Sequence, residues 1–121
     1  MKQVICCIAV LLCFGCSADP LEIKEGITQP DISAVADGTY RGRAFIFPVW
    51  VETEVDILSG SITEIRLLRH FNGQGSAAEA IIDEVAAHQS LDVDVITGAT
   101  QSSITILKSL EAALKEAAHD H

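Results

Sequence analysis

Residues 49–57 alternate strictly: Val49, Val51, Thr53, Val55 and Ile57 interleave with Trp50, Glu52, Glu54 and Asp56. A period of two sends the first set to one face of a strand and the second to the other. One face therefore needs a cover, and the other tolerates water. Upstream, Tyr40, Gly42, Ala44 and Ile46 alternate with Arg41, Arg43 and Phe45, and Pro48 sits at the break between the two strands. Downstream, Ser59-Gly60 marks a tight turn into a third strand over residues 62–68. Successive strands with short connections make an antiparallel meander.

The cover is expected from helices further along. Ser76-Ala77-Ala78-Glu79 has the spacing of a capping box, and Ala77, Ile81, Val85 and His88 then share one face. After a break at 90–99, a second helix is expected over 101–118. Its buried stripe is Ile104, Leu107, Leu110, Leu114 and Ala117, with Glu111 and Lys115 paired one turn apart on its surface. Strands first and helices after describe an α+β domain, a three- or four-strand antiparallel meander packed against two C-terminal helices. The length of 121 residues leaves room for one such domain.

All four cysteines, Cys6, Cys7, Cys13 and Cys16, fall in the first 16 residues. The folded part can form no internal disulfide and no thiolate metal site, so packing alone must hold it. Met1 and Lys2 precede an apolar run over residues 4–14 that is shorter than the about 20 residues of a membrane-spanning helix and suits the core of a secretory signal. Leu12-Cys13-Phe14-Gly15-Cys16 resembles a bacterial lipoprotein signal, in which a small residue precedes a cysteine that is acylated and becomes the new N-terminus. The resemblance implies a signal peptide over 1–15, lipid on Cys16 and a place on the outer side of a bacterial membrane. An uncleaved anchor competes with this reading. So does a redox or metal pair at Cys13-x-x-Cys16, although that pair ends an apolar leader instead of starting a helix. Residues 16–36 are polar, mixed in sign and punctuated by Pro20, Gly26 and Pro30, the composition of a flexible tether. The folded unit is expected over 37–118.

Loss of Lys2, the only charge before Asp19, takes the formal net charge from −9 to −10. Such a chain repels phosphate backbones, so nucleic acid is not an expected partner.

Between the two helices lies Asp92-Val93-Asp94-Val95-Ile96-Thr97-Gly98-Ala99-Thr100-Gln101-Ser102-Ser103. Read alone, Thr97 or Thr100 is an N-cap and Gly98 a turn residue. The segment also resembles the covalent FMN-binding domain family, found in flavinylated subunits of sodium-pumping NADH:quinone reductases and Rnf-type complexes, and in small lipoproteins. The hallmark is an acidic residue, then [ST]-G-A-T, then a hydroxyl residue two positions on; Asp94, Thr97, Gly98, Ala99, Thr100 and Ser102 match. The likeness continues through Asp37-Gly38-Thr39-Tyr40, residues 60–65 and Gln89-Ser90-Leu91.

The resemblance implies FMN joined through its phosphate to Thr100, with Thr97, Gly98, Ala99, Gln101 and Ser102 around it. It also implies a separate flavin transferase for maturation and a membrane electron-transport partner. Helix physics agrees: N–H groups of residues 101–103 would face the phosphate, and Gly98 and Ala99 would let the backbone approach it. The aromatics Tyr40, Phe45, Phe47, Trp50 and Phe71 are candidates to flank the ring, with core packing as their alternative role. His70-Phe71-Asn72-Gly73-Gln74-Gly75 stands where family members often carry Glu-Thr-Pro-Gly, which is missing here. No catalytic residue of its own and no metal are expected. Asp92 and Asp94 read as loop acids or a mark for the transferase, Gly73-x-Gly75 as a turn, and His119-Asp120-His121 as a solvated tail in preference to a metal grip. The implied function is a membrane-anchored flavoprotein electron carrier; a non-flavinylated surface lipoprotein that binds or scaffolds is the alternative.

Overall fold

A computed structural model describes residues 20–71 and 75–119. A short helix α1 (Pro20–Glu25) and a 3-10 turn (Ile32–Ala34) lead into three strands, β1 (Gly38–Ile46), β2 (Val49–Leu58) and β3 (Ser61–Phe71). Two helices follow, α2 (Gly75–His88) and α3 (Thr100–His119). The strands form one antiparallel sheet in the order β1-β2-β3, the expected meander in its three-strand form. No helix of the described residues is long and apolar enough to cross a membrane.

The alternation in β2 is realised as read. Val49, Val51, Thr53, Val55 and Ile57 are buried, and the residues between them are not. Ser59 (φ 53°) and Gly60 (φ 77°) both take the left-handed region in the tight turn to β3, the conformation of a two-residue hairpin loop. Helix α3 lies across β1 and β2, and α2 packs against β3. Ile104, Leu107, Leu110, Leu114 and Ala117 are buried as expected, and Ile106, Ser109 and Ala113 are buried with them. Contact with the sheet is close because Gly42 has no side chain. A Cβ there would lie 2.0 Å from Ser109 O and 2.5 Å from Ala113 N. Ser109 Oγ donates to Gly42 O (3.0 Å), so the buried Thr53 hydroxyl donates in turn to Ser109 (2.5 Å).

At the far edge, Gln89 (φ 51°) follows α2. Its side-chain amide accepts from Ile62 N–H (2.7 Å) and donates to Ile62 O (3.0 Å), pairing a stretch of β3 backbone that a fourth strand would otherwise cover.

Three expectations are corrected. The segment 27–35, read as tether, is part of the folded unit: Ile32 and Val35 are buried in the core and Ile27 packs against it. Isolated apolar residues in a polar stretch show no period, so the pattern could not reveal them. Residues 16–19 of that tether, with the signal and Cys16, lie outside the described residues. His88 is exposed as the last residue of α2, its Nδ1 facing Glu84 O, and Val85 is the last buried residue of the helix. Glu111 pairs with Lys115 (3.3 Å), yet it is buried and not on the surface. It also accepts from Lys108 (2.5 Å), from Thr28 N–H (2.7 Å) and from Thr28 Oγ1 (3.3 Å). Burial alone would raise its pKa, but the Lys108 ammonium and the Thr28 N–H outweigh burial and hold the carboxyl below its usual range. The capping box, with Ser76 as cap, puts the start of α2 at Ala77; the helix begins two residues earlier, at Gly75.

Candidate functional site

The loop between α2 and α3 is held by its own apolar residues. Leu91 and Val93 are buried and Ile96 packs against the core, while Asp92 and Asp94 between them stay exposed. Leu91 N–H also donates to the Gln29 side chain (2.5 Å), which ties the loop to the N-terminal segment. A four-residue turn then closes through Ala99 N–H to Ile96 O (2.9 Å). Its third position is Gly98 at φ 83°, a conformation that favours glycine. A Cβ on Gly98 would meet nothing within 4 Å, so the space beside the loop is open.

Helix α3 starts directly after this turn. Thr97 and Gly98 are exposed, Thr100 and Gln101 are half-buried, and Ala99 and Ser102 are buried. Ala99 is small for the core's sake, since its side chain joins the apolar cluster. Ser103 N–H bonds Ala99 O (2.9 Å), and Ser103 Oγ accepts from Ile96 N–H (3.2 Å). The expected row of phosphate-facing N–H groups at 101–103 is therefore shifted toward the helix start. Ser103 is committed, and the first-turn groups of Thr100 and Gln101 point out from the positive end of a 20-residue helix. Thr97, Asp94 and Val95 share a groove of about 540 Å³ with Lys24 and Glu25 of α1. Lys24 is the cation among these lining residues. An anion at the start of α3 would thus meet two backbone donors, a hydroxyl and open space, which fit a phosphate monoester, while the groove beside it carries the Lys24 ammonium together with the Glu25 and Asp94 carboxylates.

Gln101 does a different job with its side chain. Its amide donates to Ile46 O (3.1 Å) and to Phe47 O, clamping the first turn of α3 to the β1–β2 turn. That turn ends the sheet where the aromatic residues gather. Phe45, Trp50 and Phe71 are paired across the three strands on the face away from the helices. Trp50 stacks on Phe71 (centroids 5.7 Å, planes 23° apart), Phe47 meets Phe45 edge-on at 6.3 Å, and the Arg69 guanidinium lies 5.8 Å over Trp50. Core packing is the role of Tyr40 alone, whose hydroxyl donates to Ala36 O (2.8 Å). Phe45, Phe47 and Phe71 are 60%, 80% and 54% exposed, so the core role weighed for them is corrected. Sequence alternation already put Phe45 and Trp50 on the polar face; what it could not show is that none of the described helices covers that face.

At the same end of the sheet His70 stands opposite Val51, and both of its ring nitrogens are shielded from solvent without a hydrogen bond. Residues 72–74 of the adjoining loop lie outside the described residues, as do the side chains of the terminal His119-Asp120-His121. Among the described residues no group of His, Cys, Asp and Glu is arranged to hold a metal.

Residues 47–115, from the β1–β2 turn to the last turns of α3, match the family model of the FMN-binding domain. The chain belongs to the FMN-binding domain family. A comparison with curated proteins finds no match. The matched region of this FMN-binding domain takes in the aromatic end of the sheet, the Thr97–Thr100 loop and the first turns of α3, and it binds flavin by family. One neighbour of the loop, Lys24, was not read from the sequence: it lines the groove beside Thr97 only because α1 folds back onto α3.

Proposed function

We propose that the protein is an exported, lipid-anchored electron carrier whose FMN is joined by a phosphoester to Thr100. The observation that carries the reading is the start of α3: a half-exposed threonine hydroxyl beside a left-handed glycine, open space and first-turn N–H groups. Bound FMN supplies reversible uptake of one or two electrons, and the protein supplies position and electrostatics. Thr100 is the attachment point. The N–H groups of Thr100 and Gln101, with Lys24 nearby, offset the phosphate charge. Gly98 keeps the approach clear, and Thr97 lines the groove beside it. Attachment requires a flavin transferase in the same compartment, and electrons arrive from a membrane electron-transport partner. Acylated Cys16 keeps the protein on the outer side of the membrane.

The test is Thr100→Ala in a host that has the transferase. Covalent flavin is lost, seen as absent fluorescence in denaturing gels and absent FMN mass on the 97–107 peptide. Stability changes little, since Thr100 makes no described side-chain bond. Thr97→Ala keeps the flavin. An adduct persisting in Thr100→Ala, or mapped to another residue, removes the proposal.

A further inference from the structure

We infer that the uncovered face of the sheet, at its aromatic end, is the docking surface for the electron-transfer partner. That partner presents an apolar centre rimmed by carboxylates. The inference rests on the electron-carrier reading and adds where the partner sits and what its surface must be.

All four arginines of the chain lie on this one face. Strand register sets Arg41 and Arg66 on either side of Glu54, and Arg43 and Arg69 on either side of Glu52. The carboxylates are recessed and the guanidinium groups stand above them. Side chains of Glu52 and Glu54 are 14% and 17% exposed, against 59% for both Arg41 and Arg69. A partner therefore meets the positive ends first, although the formal charges nearly cancel. The two rows differ in commitment. Arg66 is tied to Glu54, Asp56 and Glu64 at 2.7–2.8 Å. Next to the aromatics, Arg69 holds Glu52 only at 3.7 Å, and Arg43 makes no ion pair among the described residues. Free guanidinium capacity thus borders Phe45, Phe47, Trp50 and Phe71.

Exposed Phe and Arg around a half-buried Trp in one patch is the composition of an energetic interface centre, and large apolar patches on a monomer mark contact sites. Every large hydrophobic residue exposed among the described residues lies on the three strands or the turn joining β1 to β2. The rest of the chain is strongly acidic. It repels a carboxylate-rimmed partner everywhere except here, so long-range charge orients the encounter. A second copy would have to set arginine rows on arginine rows when aligned. The membrane is disfavoured by position. Cys16 is four residues from Pro20, a reach of at most about 14 Å, and α1 packs on α3, on the other side of the sheet from this patch. Through the Gln101 clamp the patch also adjoins the residue after Thr100, which gives electrons a short way out.

The experiment places a benzoylphenylalanine photoprobe at Phe47 in the full chain, in its native cells. A second probe at Glu79, exposed on α2, serves as the control. Expected is an adduct with a protein whose cross-linked peptide lies on a carboxylate-rich surface, and no such adduct from position 79. Its yield falls about fivefold or more in Arg43→Glu and in Arg69→Glu, with Arg69→Gln read instead if Arg69→Glu fails to accumulate. Adducts with lipid, adducts with a second copy, no adduct at 47, or a yield unmoved by charge reversal each overturn the inference. The same cross-link is measured in Thr100→Ala. Its persistence there, with FMN mass present only in the parent, separates docking from flavin attachment. A parent without FMN sinks the electron-carrier reading itself.

Discussion

Gly42→Ala tests whether the sheet and α3 meet as closely as described. The added Cβ would sit 2.0 Å from Ser109 O and 2.5 Å from Ala113 N, both backbone atoms of a buried helix, so no side-chain tip can swing aside. Either α3 lifts or β1 bends. Overpacking of this kind costs about 1–3 kcal/mol. Lifting α3 also stretches the Thr53–Ser109–Gly42 chain of hydrogen bonds, whose two links are worth about 1 kcal/mol each. The sum is about 3–5 kcal/mol, a large share of the 5–15 kcal/mol of a typical domain. With a urea slope of about 1–2 kcal/mol/M for a chain of this size, the midpoint should fall by roughly 1.5–5 M, or the fold should be lost altogether. Urea unfolding followed by far-ultraviolet circular dichroism measures it. A midpoint within about 0.3 M of the parent would show that α3 does not approach β1 this closely, and the placement of Thr100 against the β1–β2 turn would go with it.

Gly98→Ala should cost about 1–2 kcal/mol from its left-handed φ, without any clash, and should lower flavin yield while the protein stays folded; a midpoint equal to the parent's contradicts the turn. Glu111 has a lowered pKa in the fold, so the stability it contributes is full above about 4.5, the ordinary glutamate value, and is lost as pH falls through its lower folded value. Glu111→Gln should remove that part of the acid sensitivity, read as a flatter dependence of melting temperature on pH below 4.5. Asp56, held at about 2 by Arg66 and Thr39, adds a further loss between 3.8 and 2 that persists in Glu111→Gln. Cys16→Ser should leave the protein unprocessed or released from the membrane, and an unchanged mature mass and fractionation would count against lipid attachment.

The order of elements was legible from residues 38–119 because each obeys a local rule. A period of two requires strands where Val49 to Ile57 alternate, Ser59-Gly60 accepts positive φ, and the stripe from Ile104 to Ala117 repeats with the pitch of a helix. The turn at Thr97 to Thr100 was legible for a similar reason, since a turn glycine and a threonine at a helix start are neighbours in the chain. What was not legible depends on residues distant in sequence meeting in space. Glu111 is polar and reads as surface until Thr28, 83 positions away, closes over it. Ile32 and Val35 show no period and become core only because β3 and α3 leave room for them. The four arginines look like ordinary outward strand residues until register aligns them in two rows around recessed carboxylates. Alternation determined that one face of the sheet is apolar and one is mixed. Only the tertiary structure decided that α2 and α3 both cover the first, leaving the aromatic end of the second uncovered by the described helices, because a period states which face a side chain takes and not what lies against it.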